Sequence, residues 1–177
     1  MIVWLGAIAL IGVGSSCRRS WAPSLEGRGS ATSASGKHTQ GLIDVVYRGF
    51  GPALATETPL VMVFHSAAAW EAYIETGWVD RGAVSLTSLD WSQSVLLLVL
   101  APPSGGADTR LVVKRAAQHK GGVVLEFGTE PNPGAPAGLD VTTQMSLVAR
   151  GVAGAFERGA DVQVEIDGFG KGLTRHM

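Results

Sequence analysis

LVMVF at residues 60–64 and VLLLVL at residues 95–100 are apolar at every position. A strand with one face in water alternates apolar and polar side chains, so an unbroken run of this length fits a strand covered on both faces. Pro59 precedes the first run and Pro102-Pro103 close the second, bounding both with turn formers. Between them lies SAAAWEAYIET, residues 66–76, with Ser66 placed as an N-cap and Gly77 as a stop. Trp70, Tyr73, Ile74 and Ala67 share one face at helical spacing. That face needs an apolar surface, which the two runs supply.

Further out, Ile43, Val45 and Tyr47 alternate with Leu42, Asp44 and Val46. Residues 109–116 and 123–127 flank Lys120-Gly121-Gly122, the pattern of a hairpin. Met145, Leu147 and Ala149 alternate with Gln144 and Ser146, while Val162, Val164 and Ile166 point inward and Gln163 and Glu165 outward. The expected fold is mainly β (α+β): a mainly antiparallel, sandwich-like sheet assembly with one amphipathic helix packed on it. It should occupy residues 41–170, with 171–177 as a tail. About 130 residues can bury an adequate core without disulfides.

Composition narrows the classes. A length of 177 residues favours one domain. Charged residues are 16% and glycines number 24, which argues against coiled coils and helical bundles. With 14 Lys+Arg against 15 Asp+Glu the formal charge is −1, and nucleic acid is not an expected partner.

Residues 2–13, IVWLGAIALIGV, carry no charge. The run falls short of the roughly 20 residues that span a bilayer and has the length of a signal-peptide core. Gly14, Ser15 and Ser16 lead to Cys17, the single cysteine of the chain, and this stretch resembles a bacterial lipobox. Small residues there admit an extended backbone to a peptidase groove. A lone cysteine in an exported chain has no partner for an internal disulfide, and lipidation would consume its thiol. Residues 1–16 are therefore expected to be a lipoprotein-type signal peptide and Cys17 the lipidation site, anchoring the protein to a membrane of the cell envelope. Residues 17–40, rich in Ser, Gly, Ala and Thr, read as a flexible tether.

No residue set points to catalysis, a metal or another cofactor. His38, His65, His119 and His176 show no helical i,i+4 pair and no cysteine partner. His65-Ser66 with Asp80 or Asp90 could be arranged as a hydrolase triad, but no Gly-x-Ser-x-Gly surrounds Ser66, and helix capping explains it better. Residues 102–108 (PPSGGAD) and 168–174 (GFGKGLT) lack the context of a phosphate loop and read as turns. Arg110, Lys114, Arg115, His119 and Lys120 form a basic strip, read as a solvated outer face, with docking of an acidic partner as the rival reading. Residues 130–138 (EPNPGAPAG) make a Pro-punctuated loop, suited to recognition or to plain connection. Candidate partner-binding positions are Ser104, Gly105, Gly106 and Asp108 in the first loop, and Asn132 and Pro133 in the second.

In order along the chain, SAAAWEAY at 66–73, LDWSQSV at 89–95, PSGG at 103–106 and TQMSLV at 143–148 resemble the motifs of the PrcB-like C-terminal family, named for a lipoprotein subunit of a spirochaete protease complex. The resemblance covers about residues 60–167 and implies a small exported β-rich module, accessory to a protease or envelope complex, with no catalytic residues. In that frame Ser66, Trp70, Asp90 and Trp91 are structural. Asp90 would accept backbone N–H groups in a turn, Trp91 would anchor helix to sheet, and Gly105-Gly106 would turn with positive φ. The expected function is a non-enzymatic envelope lipoprotein that stabilises or activates a partner protein, with a loop-mediated protease inhibitor as the alternative. As a core anchor, Trp91 replaced by Ala should cost about 3–5 kcal/mol, the usual range for a buried aromatic.

Overall fold

A computed structural model of the chain describes residues 41–51, 56–76, 84, 89–105, 107–135 and 142–177. The signal segment, Cys17, the tether, Gly77, Asp80 and Gly106 lie outside the described residues. The elements run β1 (Ile43–Gly51), β2 (Leu60–Phe64), α1 (Ala67–Ile74), β3 (Ser94–Leu100), β4 (Ser104–Gly105), β5 (Thr109–His119), β6 (Gly122–Pro131), β7 (Thr142–Val152), a 3-10 turn (Ala153–Ala155), β8 (Asp161–Ile166), β9 (Gly170–Lys171) and β10 (Leu173–His176).

Two sheets form. The first has the order β1-β7-β3-β2-β10, with β4 adding to β7, and the second has the order β5-β6-β8-β9. The mainly β sandwich with one helix is the architecture that the sequence implies. Both apolar runs lie inside the first sheet, and their side chains divide by parity. Val61, Val63, Val95, Leu97 and Val99 join a core with Leu111, Leu125, Phe127, Val164 and Ile166 of the second sheet. Leu60, Met62, Phe64, Leu96, Leu98 and Leu100 face the other way and pack with Trp70 of α1. The layers are therefore helix, first sheet, second sheet.

Eight helical residues are too few to be stable alone, so α1 depends on its cap and its contact with the sheet. Ser66 Oγ accepts the Ala69 N–H at 3.2 Å. Trp70 stands edge-on to Phe64, with ring centroids 5.1 Å apart and planes at 86°. The helix ends at Ile74 rather than running to Gly77. Ala69, rather than Ala67, accompanies Tyr73 and Ile74 on the packed face.

Two bulges correct the alternation read from sequence. In β1 the pairing with β7 shifts between Val45 and Tyr47. Val45 therefore faces the inter-sheet core, whereas Tyr47 faces the helix side and Val46 is exposed. In β5 the shift falls between Val113 and Arg115. Strict alternation from Leu111 through Val113 would drive the Arg115 guanidinium into the core. The extra residue, Lys114, keeps Arg115 outside and returns Ala116 to the interior.

The hairpin between β5 and β6 turns at Lys120-Gly121, with Gly121 at φ +95°, a conformation glycine adopts without strain. Parallel pairing enters twice, between β6 and β8 and between β2 and β10. Residues 173–176 of the expected tail are thus a strand. Leu173 N–H donates to Pro59 O and Met177 N–H to Val63 O, each at 2.8 Å. Thr174 Oγ1 and Gly172 N–H donate to carbonyls of β8, so β10 ties the edges of both sheets together.

The expected role of Trp91 also changes. It is only partly buried against the helix-side cluster, whereas Trp70 is 1% exposed. Trp70→Ala should cost about 3–5 kcal/mol and Trp91→Ala roughly 1–2 kcal/mol, read as shifts in urea denaturation midpoint. Equal costs, or a costlier Trp91, would contradict this packing.

Candidate functional site

The candidate loops meet at one end of the sandwich. The Asn132 backbone N–H donates to Asp108 O at 2.7 Å, and its side-chain Nδ2 donates to Ala107 O at 3.1 Å. Ala135 N–H donates back to Asn132 O at 3.0 Å, closing a turn around Pro133. The loop after β6 is thereby fastened to the loop before β5. Ser104 and Gly105 pair with Thr143 and Thr142 at the start of β7, fixing the first loop to the central sheet. Gly105, Asp108 and Pro133 are exposed at this end. Gly105 is a strand residue without positive φ, so it does not make the glycine turn expected of it; Gly106 lies outside the described residues.

Buried polar groups brace the ledge from behind. Gln144 is 1% exposed, and its Nε2 donates to Ala101 O at 2.7 Å and Thr56 Oγ1 at 3.1 Å. Thr109 Oγ1 contacts Met145 Sδ at 3.4 Å. Beside the loops, the Arg110 guanidinium meets Glu130 at 2.7 Å. Arg48 reaches from β1 across to β5, its Nε donating to Leu111 O at 3.2 Å. Burial and the Arg110 charge lower the Arg48 pKa, and Glu130 opposes them.

The basic strip of β5 resolves into cross-strand ion pairs. Besides Arg110 with Glu130, Lys114 pairs with Asp167, and Arg115 with Glu126 at 3.2 Å. These acids offset three of the strip's cations, Arg110, Lys114 and Arg115, which favours the solvated-face reading. His119 is exposed in the same strand, near its hairpin.

A hydrolase arrangement does not form among the described residues. Ser66 Oγ is engaged with the helix N-terminus, and the His65 ring faces His176 rather than Ser66 or a carboxylate. The Asp90 carboxylate accepts Ser92 N–H at 2.9 Å and Ser92 Oγ–H at 2.7 Å. This is the turn role expected from sequence. His38 and Asp80 lie outside the described residues. No cluster of three or more metal-ligating side chains occurs among the described residues, and no helix among them is long and apolar enough to cross a membrane.

Sequence reasoning missed Arg48, Gln144 and the His65–His176 pair. Only the last left a trace, as the histidine beside the helix cap. Comparisons with family models, with curated proteins and with solved structures return no match for this chain.

Asn132→Ala would leave the buried Ala107 carbonyl without its donor and should cost about 1–2 kcal/mol in urea denaturation. No loss would mean that the two loops are not fastened together through this side chain. A second expectation concerns Asp90, whose pKa is lowered by the Ser92 hydroxyl and then by the Ser92 backbone N–H. Its stabilising effect is present above the ordinary aspartate range and disappears as pH falls through the lowered value. Ser92→Ala should return the carboxyl titration, followed by NMR, towards the ordinary value. An unchanged midpoint would rule out the hydroxyl as the main cause.

Proposed function

We propose that this chain is an exported, lipid-anchored envelope protein without catalytic activity, whose β-sandwich binds a partner protein at the end where Ser104, Gly105, Ala107 and Asp108 meet residues 130–135. The observation that carries the reading is the Asn132 fastening, which holds two separate loops in one fixed relation. A surface held rigid before binding loses less conformational entropy on association than free loops would. The lipobox-like run ending at Cys17 and the following Ser/Gly-rich segment support export, anchorage and reach. The PrcB-like motifs support a protease complex as the partner class, with this chain stabilising or activating it. Inhibition is the second reading, and the same observation favours it, because a loop braced at both ends suits insertion into a peptidase cleft.

Affinity purification from detergent-solubilised envelope should recover a stoichiometric partner with the wild-type chain. Asp108→Lys, a change at an exposed side chain of the ledge, should reduce that recovery about tenfold or more. Cys17→Ala should move the protein out of the membrane fraction without abolishing the pairing. Partner peptidase activity that is maintained or raised by the added chain supports the accessory role, and dose-dependent loss supports inhibition. Equal recovery by the Asp108 variant would place the interface elsewhere, and no stoichiometric protein at all would overturn the reading.

A further inference from the structure

His65 follows β2 directly, and His176 ends β10, 111 positions away in sequence. Parallel pairing of these strands brings both rings to the same end of the first sheet. His65 Nε2 and His176 Nδ1 face each other at 3.1 Å, with the ring planes 17° apart. The second nitrogen of His176, Nε2, lies 3.3 Å from Ala160 O at the approach to β8. A carbonyl only accepts, so this contact places the His176 proton on Nε2 and leaves the Nδ1 lone pair aimed at His65.

The geometry points to a two-imidazole site for a late first-row divalent ion, Zn²⁺, Ni²⁺ or Cu²⁺, between His65 Nε2 and His176 Nδ1. With metal–nitrogen bonds of about 2.0–2.1 Å, a nitrogen separation of 3.1 Å corresponds to an angle of about 100° at the metal. That lies between the right angle of square-planar or octahedral sites and the tetrahedral angle. Ring centroids 5.4 Å apart set the two nitrogens head-on, so each ring must turn by roughly 40° for its lone pair to reach a common ion. The Ala160 carbonyl does for His176 what an outer partner does for most metal-bound imidazoles, fixing both tautomer and ring direction. Without metal, His65 Nε2–H donates to His176 Nδ1. On binding, the His65 proton moves to its own Nδ1, so both ligands stay neutral and no net proton is released. No third protein ligand of the usual kinds completes a cluster among the described residues, which leaves the remaining positions to water or to a partner's side chain.

Arg158, in the turn before β8, is the cation whose field reaches His65. The same positive charge opposes a dication. The site therefore carries its own sign test, because removing Arg158 should tighten binding.

The experiment is calorimetric titration of the full chain with Zn²⁺ and with Ni²⁺ near neutral pH, alongside His65→Asn, His176→Asn and Arg158→Gln. One ion per chain should bind the wild type, each histidine variant should bind about tenfold or more weakly, and Arg158→Gln should bind more tightly. Zn²⁺ should also raise the thermal midpoint of the wild type, and the rise should vanish in both histidine variants. Should a histidine variant fail to fold, imidazole NMR of the wild type decides instead: Zn²⁺ must shift the His65 and His176 nitrogens. Shifts confined to His38 or His119, unchanged binding in the histidine variants, or no binding to the wild type would overturn the site.

Discussion

Strands β3 and β7 lie at the centre of the first sheet, hydrogen-bonded to neighbours on both edges, with β3 apolar on both faces. A strand so placed must satisfy every backbone group within the sheet, because no water reaches it. The rest of the molecule supplies what these strands lack. The second sheet covers one face, and α1 with its Trp70 anchor covers part of the other. Gly151 of β7 contributes by what it omits: a Cβ there would stand 2.8 Å from the Phe156 ring, which is fully buried at that end of the core.

The candidate ledge inherits its rigidity from the same centre. Residues just before β4 and at the start of β7 are bound to each other through Ala101 N–H to Met145 O at 3.0 Å and through Gln144 to Ala101 O. The first loop is held at this base, and Asn132, just beyond β6, fastens the residues that precede β5. The shape of that end is thus a consequence of packing deep in the sheet. The histidine pair depends on it too, since β10 can bring His176 to His65 only while β2 offers a fixed edge.

Features carried by local pattern were legible in the sequence. The two apolar runs identified strands buried on both faces, Ser66 marked the helix start, Gly121 marked the hairpin, and Val162, Val164 and Ile166 gave the orientation of β8. Bulges were not legible, because one extra residue at Val46 or Lys114 leaves composition unchanged while reversing every side chain beyond it. Strand β10 was hidden by its brevity and polarity, and its pairing is parallel to a strand more than a hundred residues earlier. At the candidate site, the loops could be named from their Gly and Pro content. Their fastening could not, because an asparagine donating to a carbonyl across 25 residues has no signature in spacing.

The most direct test of the account is native-state hydrogen exchange, resolved by residue. Amides of Leu96, Leu97 and Leu98 in β3 and of Leu147 and Val148 in β7 should exchange slowest, at the rate set by global unfolding, and those near the Lys120-Gly121 turn of the β5–β6 hairpin much faster. If the slowest amides instead lay in the β5–β6 hairpin while those of β3 and β7 exchanged through local opening, the twice-covered central sheet would not be what holds this fold together.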